Sequence, residues 1–406
     1  MNHQLRSMVN ELTGVKVTYG YDEFSNLVWA NQDSKFDFLY RSVDDVGNLY
    51  ETKDKKDRVY GAGSRLLETQ DAQFSYDEEG NLIEKVEKNG DTWKYEYYGN
   101  GMMSKAIKPD HTEVTFKYDS LGRRIEKRSE DKATHFVWDG NTILHEYSTQ
   151  NVADTLDNLN SSQTDTDIAD DLVTWVFNDG FVPSAKITSE GHYSIISDYL
   201  GTPVEAYDEE GNRVWSAQLD IYGRVKEFTG EKDFIPFRYQ GQYEDVETGL
   251  YYNRFRYYDP EQGNYTQIDP IGLAGGNPTL YAYVKDPNIL FDAFGLAPTN
   301  PIDRAYLKEI LGASKKSGGA YMFRTIDVRD GITKWYVGKA NNLYTRLRQH
   351  LGTGKLTSSQ LESLQVLVVP YGKESDFFKT EADIIKAFED AGEDLANKIK
   401  SRGCTK

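Results

Sequence analysis

The sequence predicts a mainly β chain: a long antiparallel shell of tyrosine-rich hairpins, then a small α/β domain with a three-stranded sheet and flanking helices. Three observations lead there. A tyrosine-and-glycine motif returns at a 21-residue spacing in the first part of the chain. The apolar pattern changes from period two to helical spacing beyond residue 340. The charge also changes sign. Residues 297–406 carry 18 Lys+Arg against 13 Asp+Glu, net +5, whereas residues 1–296 carry 29 against 52, net −23. An acidic body joined to a basic tail suggests two jobs on one chain, and the basic part is the better match for a polyanion.

The repeats set the first element. Tyr76-Asp77-Glu78-Glu79-Gly80-Asn81 is followed 21 residues on by Tyr97-Tyr98-Gly99-Asn100-Gly101, and 21 further by Tyr118-Asp119-Ser120-Leu121-Gly122. Degenerate copies stand at Tyr21-Asp22, Asp44-Asp45-Val46-Gly47-Asn48 and Tyr207-Asp208-Glu209-Glu210-Gly211-Asn212. Thr92-Trp93-Lys94-Tyr95-Glu96-Tyr97 alternates with period two, so it reads as a strand with its aromatics on one face. The Asp-x-x-Gly-Asn step reads as a tight turn, with Gly at positive φ and Asp or Asn bonding back to the backbone. One hairpin is marginal alone, so the hairpins must stack into a continuous sheet. Residues 148–171 interrupt the pattern with six Asp and no Lys or Arg, which predicts a mobile acidic insertion.

From Phe234 to Leu296 a different stretch follows. It contains Gly249-Leu250-Tyr251-Tyr252-Asn253-Arg254-Phe255-Arg256-Tyr257-Tyr258-Asp259-Pro260, then Asp269-Pro270-Ile271-Gly272 and Asp292-Ala293-Phe294-Gly295-Leu296. The Tyr-Asp units resemble YD repeats, and this stretch resembles the repeat-associated core of Rhs polymorphic toxins. The resemblance covers about three quarters of the chain. It implies a hollow YD-repeat β-shell over residues 1–233, a core that plugs it over 234–296, and an enclosed toxin over 297–406. It further implies use in interbacterial competition. A cognate immunity protein and secretion-system delivery components would be its partners, and the chain would be made in the cytoplasm before delivery into target cells.

In many members of that family the core cuts the chain after its final Gly-Leu. The resemblance carries the cutting pair onto Asp269 and Asp292 and the cut onto the bond between Leu296 and Ala297. Two carboxyls that share a cavity cannot both ionise easily, so one can act as acid while the other activates water. Ala293 stands where the family usually has Pro, which loosens the turn but removes no catalytic atom.

The tail opens with a strand at Ala320–Ile326, a turn at Asp330-Gly331 and a partner strand at Lys334–Lys339. Leu343, Leu347 and Leu351 lie at i, i+4 and i+8, the buried stripe of a helix, with Arg346 and His350 four apart beside it. Leu364–Val369 reads as a strand and Phe377–Phe388 as a helix. Glu381 falls within the apolar stripe of that helix, where a carboxylate should be desolvated unless a cation or a metal ion meets it. The order Gly319-Ala320-Tyr321, Tyr336-Val337-Gly338, Arg346, His350, Glu381, Asn397 resembles the GIY-YIG endonucleases, with Ala320 in place of the usual Ile.

That resemblance implies a metal-dependent nuclease acting on nucleic acid, DNA ahead of RNA. Glu381 would hold Mg²⁺ or another divalent ion, the usual hard partner of carboxylate and phosphate. Arg346 would clamp the scissile phosphate. Tyr321 and Tyr336 would position or deprotonate the water, and His350 would assist proton transfer. Lys339, Arg348 and Asn397 would contact nucleic acid.

Other features narrow the field. Cys404 is the only cysteine, so a disulfide framework or a Cys-based zinc site within the chain is excluded. Met1–Arg6 has no long apolar core behind it, so no signal peptide is expected, and no apolar run reaches the ~20 residues a membrane span needs. The rival reading is a structural or adhesive YD-repeat surface protein with a non-catalytic binding module at its end.

Overall fold

In the computed structural model of this chain the described residues are 4–9, 14–32, 37–130, 132–150, 171–178, 180–298, 318–326, 333–352, 356, 364–368, 379–386 and 395. They divide into two compact units, the first ending at Leu296 and the second holding residues 297–406 together with the short Ala274–Gly276 segment. The fold is mainly β, as expected.

Sixteen strands, from Arg58–Tyr60 to Val225–Thr229, form one antiparallel sheet in which every neighbour in space is a neighbour in sequence. Four earlier strands, from Ser7–Val9 to Asp37–Tyr40, form a separate sheet, so the hairpins do not all join one continuous ladder. The turn chemistry explains the regularity. Gly80 donates its N–H to the Asp77 carbonyl, and Asp77 donates its own to the Asn81 carbonyl. The Asp77 carboxylate accepts from the Asn81 backbone N–H at 2.7 Å and from the Asn81 side-chain amide at 2.9 Å. The same double contact recurs from Asn26 to Asp22, Asn48 to Asp44 and Asn212 to Asp208, and Arg123 replaces Asn at Asp119. Gly80 sits at φ +88°, and a Cβ there would lie 2.8 Å from Ile268 and from the Tyr281 hydroxyl. The register shifts beside the turns at Asp22, Asp77, Asp119 and Asp208, which marks a bulge at each.

The motif tyrosines also have a job. Tyr97 donates to the Leu82 carbonyl at 2.7 Å and Tyr118 to the Met103 carbonyl at 2.8 Å, so each ties its strand to the start of an earlier one. The acidic insertion begins later than expected. Ser148–Gln150 complete the strand Thr142–Gln150, and the Asp171 carboxylate accepts the Ser148 N–H at 2.8 Å. Residues 151–170 lie outside the described residues.

Residues 234–296 carry a four-stranded antiparallel sheet, Tyr243–Asp245, Leu250–Asn253, Arg256–Asp259 and Asn264–Tyr265. Its aromatics pack into the same core as the sixteen-stranded sheet: Phe116 with Tyr257 at 5.1 Å, Phe136 with Tyr243 at 5.4 Å and Trp175 with Phe237 at 4.8 Å between ring centres. Arg124 is buried among Phe116, Phe136, Tyr243 and Tyr252, and it donates to Asp245 at 2.5 Å and to the Tyr257 hydroxyl at 3.0 Å. Removing one partner of such a buried pair costs about 3–5 kcal/mol, because the other charge is left in an apolar core.

The second unit has a three-stranded antiparallel sheet with Gly319–Ile326 in the centre, flanked by Thr333–Ala340 and Gln365–Val368. The helix Leu343–Gly352 buries Leu343, Leu347 and Leu351 against it, as their spacing demands. A second helix covers 379–386. Among the described residues no helix is long and apolar enough to cross a membrane.

Candidate functional site

The first site lies in the plug. Asp269 and Asp292 are both buried, and Arg256 stands between them: its Nη2 is 2.9 Å from Asp269 Oδ2 and 3.5 Å from Asp292 Oδ2. The turn that each aspartate opens fixes its carboxylate. Asp269 accepts the Ile271 N–H at 2.9 Å. Asp292 Oδ1 accepts the N–H groups of Phe294 at 3.2 Å and Leu296 at 2.9 Å, while Tyr265 donates to Oδ2 at 3.0 Å. Arg256 Nε donates to the Gly295 carbonyl at 2.6 Å, and Asn253 donates to the Asp292 carbonyl at 2.9 Å. The peptide leading to the Leu296–Ala297 bond is therefore held at the Asp292 and Gly295 carbonyls and at the Leu296 N–H.

Burial pushes the Asp269 pKa up to about 6, against the opposing pull of Arg256 and the Ile271 N–H, with a small further push from Asp292. Asp269 thus keeps its proton to a higher pH than an ordinary carboxylate. The sequence reading named both aspartates but gave no role to Arg256, Tyr265 or Asn253. Two arginines two apart in a string of buried aromatics were the available signal. Gly241, in turn, lies so close to Ala293 that a Cβ there would be 2.2 Å from the Ala293 carbonyl oxygen.

The second site lies in the tail. The register pairs Tyr321 with Gly338 and Phe323 with Tyr336 on adjacent strands. Gly338 leaves room for the Tyr321 ring, which a Cβ would meet at 2.6 Å. The Tyr321 hydroxyl is 2.7 Å from His350 Nε2, and both residues are buried. Tyr336 joins them, its ring 6.4 Å from Tyr321 and 5.9 Å from His350. Burial holds the Tyr321 pKa well above the ordinary phenol value; Tyr336 and Glu381 raise it further, and a hydrogen bond and charge from Arg346 oppose them. Arg346 and Glu381 therefore both act on the Tyr321 hydroxyl, which brings five of the expected residues to one place.

Details differ from the sequence expectation. Arg346 is exposed and reaches Gln349 at 3.3 Å, and His350, four residues on, is buried. Glu381 is half-buried, because the buried stripe of its helix passes through Ala382 and Ile385 instead. Lys339 and Arg348 are half-buried on the strand and the helix of this site. Asn397 lies outside the described residues, as do Phe377, Phe378 and Phe388.

A single carboxylate beside a hydroxyl is a sparse donor set, and among the described residues no three His, Cys, Asp or Glu side chains group together. Mg²⁺ suits such a set, since it keeps several waters and commonly binds through one or two carboxylates plus substrate phosphate. Glu381 is the residue present that would hold it.

The family model described as Teneurin YD-shell matches residues 2–274. The chain is 33% identical over 300 residues to the double-stranded DNA deaminase toxin A of Burkholderia cenocepacia (strain H111), covering 69% of this chain and 21% of that protein. It is 30% identical over 263 residues to the probable deoxyribonuclease RhsA of Dickeya dadantii (strain 3937), covering 61% of this chain and 17% of that protein. The chain thus spans about a fifth of the length of the curated relatives it matches. A solved Photorhabdus luminescens Tc holotoxin pore aligns over 70% of this chain and 18% of its own, at 16% identity and a TM-score of 0.41.

Proposed function

This chain belongs to the Teneurin YD-shell family, and from that premise we propose that it is part of an Rhs polymorphic toxin whose tail is a metal-dependent nuclease. The tail reading rests on one observation: the Tyr321 hydroxyl, held 2.7 Å from His350, lies under the influence of both Arg346 and Glu381. Cutting a phosphodiester needs an oriented water, a proton acceptor and charge neutralisation at phosphorus, and these residue types supply them. Because Tyr321 keeps its proton, His350 is the better base, with Tyr321 and Tyr336 orienting the water. Arg346 is exposed, as a residue that meets substrate must be, and its planar fork suits a phosphate. Lys339 and Arg348 add backbone contacts. A divalent ion on Glu381 would supply charge neutralisation at the phosphate when bound.

In the plug, the proposed reaction is hydrolysis of the Leu296–Ala297 peptide bond. Asp292 draws a proton from water, Asp269 gives one to the departing Ala297 nitrogen, and Leu296 is left with a new carboxylate. Arg256 and Asn253 hold the peptide in register. Nucleic acid is the proposed substrate, DNA ahead of RNA. A producing cell would need an immunity protein for the basic tail, and delivery into a target cell would need secretion components.

The test is degradation of plasmid DNA and total RNA by the purified protein, with Mg²⁺ and with chelator, beside Glu381→Gln. Metal-dependent cleavage lost in the variant supports the nuclease. No cleavage of either polymer by the wild-type protein returns the tail to the binding-module reading.

A further inference from the structure

The strands Leu250–Asn253 and Arg256–Asp259 are joined by a bend of two residues, Arg254 and Phe255, with Asn253 and Arg256 paired across it. Arg254 takes φ +58°. A bend of this kind ordinarily places Asn or Gly at positive φ. A long arginine there has been kept for what its side chain reaches, since the backbone conformation disfavours it.

The four residues of this hairpin tip face two ways. The outer pair holds the second aspartate turn. Asn253 donates to the Asp292 carbonyl at 2.9 Å and to the Tyr265 hydroxyl at 2.7 Å, and Arg256 donates to the Gly295 carbonyl at 2.6 Å. The Phe255 N–H adds a bond to the Phe294 carbonyl at 3.3 Å. Gly295 allows this approach, because a Cβ there would lie 2.6 Å from the Asn253 carbonyl oxygen. The inner pair turns its side chains to the sixteen-stranded sheet. Arg254 Nη2 donates to the Leu121 carbonyl at 3.2 Å, with its guanidinium over the Trp138 ring at 5.4 Å. The Phe255 ring lies against Gly122, where a Cβ would meet it at 2.9 Å. Tyr252, just before the tip, donates to the Gly122 carbonyl at 3.2 Å. Leu121 and Gly122 belong to the repeat turn between the strands Glu113–Tyr118 and Arg124–Ser129.

We infer that Arg254 and Phe255 are positioning residues for cutting of the Leu296–Ala297 bond. Neither touches the reacting atoms. Seated on the shell turn, they fix the hairpin tip, and through Asn253 and Arg256 they fix the peptide against the two carboxyls. Adjacent Cα atoms are only ~3.8 Å apart, so a shift of the inner pair reaches the outer pair undiminished. The cut thereby depends on a turn 133 residues earlier in the chain. This inference rests on the self-cutting reading of the plug.

Two readouts on the full chain test it. In an Asp269→Asn background, which keeps the chain whole, hydrogen exchange read by mass spectrometry follows the Phe294 and Leu296 N–H groups that Asp292 accepts. Phe255→Ala should speed their exchange by about tenfold or more, because the segment opens locally. With Asp269 intact, Phe255→Ala should slow the appearance of the fragment beginning at Ala297 by about tenfold or more, as a remote misplacement of ~1 Å can do. Phe255→Leu refills the space against Gly122 and should restore most of both. Arg254→Met keeps the ring and removes the guanidinium; it should give a smaller change in the same direction, and it is the second reading if Phe255→Ala does not fold. Ile195→Ala opens a cavity in the buried core on the strand Gly191–Ser197, which meets neither contact set, and should leave both readouts alone. Unchanged exchange and cutting in folded Phe255→Ala and Arg254→Met, or equal slowing by Ile195→Ala, would overturn the inference. An uncut wild-type chain would end the cutting reading and this inference with it, whereas a cutting wild type matched in rate by Phe255→Ala would end this inference alone.

Discussion

Asp269 illustrates how one residue carries both fold and chemistry. Its pKa of about 6 lies above the ordinary carboxylate value of 3.8, so between those limits the folded state holds a proton that the unfolded state has lost. Stability must then fall as pH rises from about 4 to about 6, by at most roughly 3 kcal/mol at ~1.4 kcal/mol per pKa unit. Asp269→Asn should flatten that stretch of the stability curve. Chemical denaturation from pH 4 to 7 in an Asp292→Asn background checks it without chain cutting, and an unchanged slope would show that Asp269 is not the desolvated group. Burial, not Asp292, is the leading cause, so the slope should persist in that background.

At the scale of elements, two glycine-dependent contacts make contrasting predictions. Asp77→Ala deletes both bonds to Asn81 in one shell turn and should cost about 1–2 kcal/mol, readable as a shift of the unfolding midpoint, while neighbouring turns keep the sheet. Gly338→Ala places a methyl against the Tyr321 ring. It should separate Tyr321 from His350 and abolish nuclease activity with little loss of helix signal by circular dichroism; full activity would mean that the Tyr321–His350 contact is not used. Both sites were legible in the sequence because the information was local. Positive-φ glycines in a fixed frame announced the turns, and Leu343, Leu347 and Leu351 announced the helix. Arg124 and Arg256 were not legible, since Arg124 finds Asp245 121 residues away and Arg256 binds two aspartates on separate turns. The half-buried state of Glu381 was missed for a related reason: helical spacing alone does not say which neighbouring stripe meets the sheet.

For the whole molecule, the division into two compact units falls at Leu296, the residue whose N–H Asp292 accepts. If the plug is a self-cutting device, the purified protein should show by intact mass a fragment beginning at Ala297, and Asp292→Asn should leave one full-length species. Arg256 allows a sharper version. It donates to the Gly295 carbonyl through Nε and contacts both aspartates through Nη2, so it positions substrate and carboxyls with separate atoms. Lys offers one donor centre where Arg offers several in a fixed fork. Arg256→Lys should therefore slow the cut by one to two orders of magnitude yet preserve the buried charge that balances Asp269 and Asp292. The rate can be followed by the appearance of the 297–406 fragment after refolding. Cutting at the wild-type rate in Arg256→Lys would assign the arginine to the core of the plug alone, and an uncut wild-type chain would remove the self-cutting reading while leaving the tail's nuclease chemistry to stand or fall on Glu381.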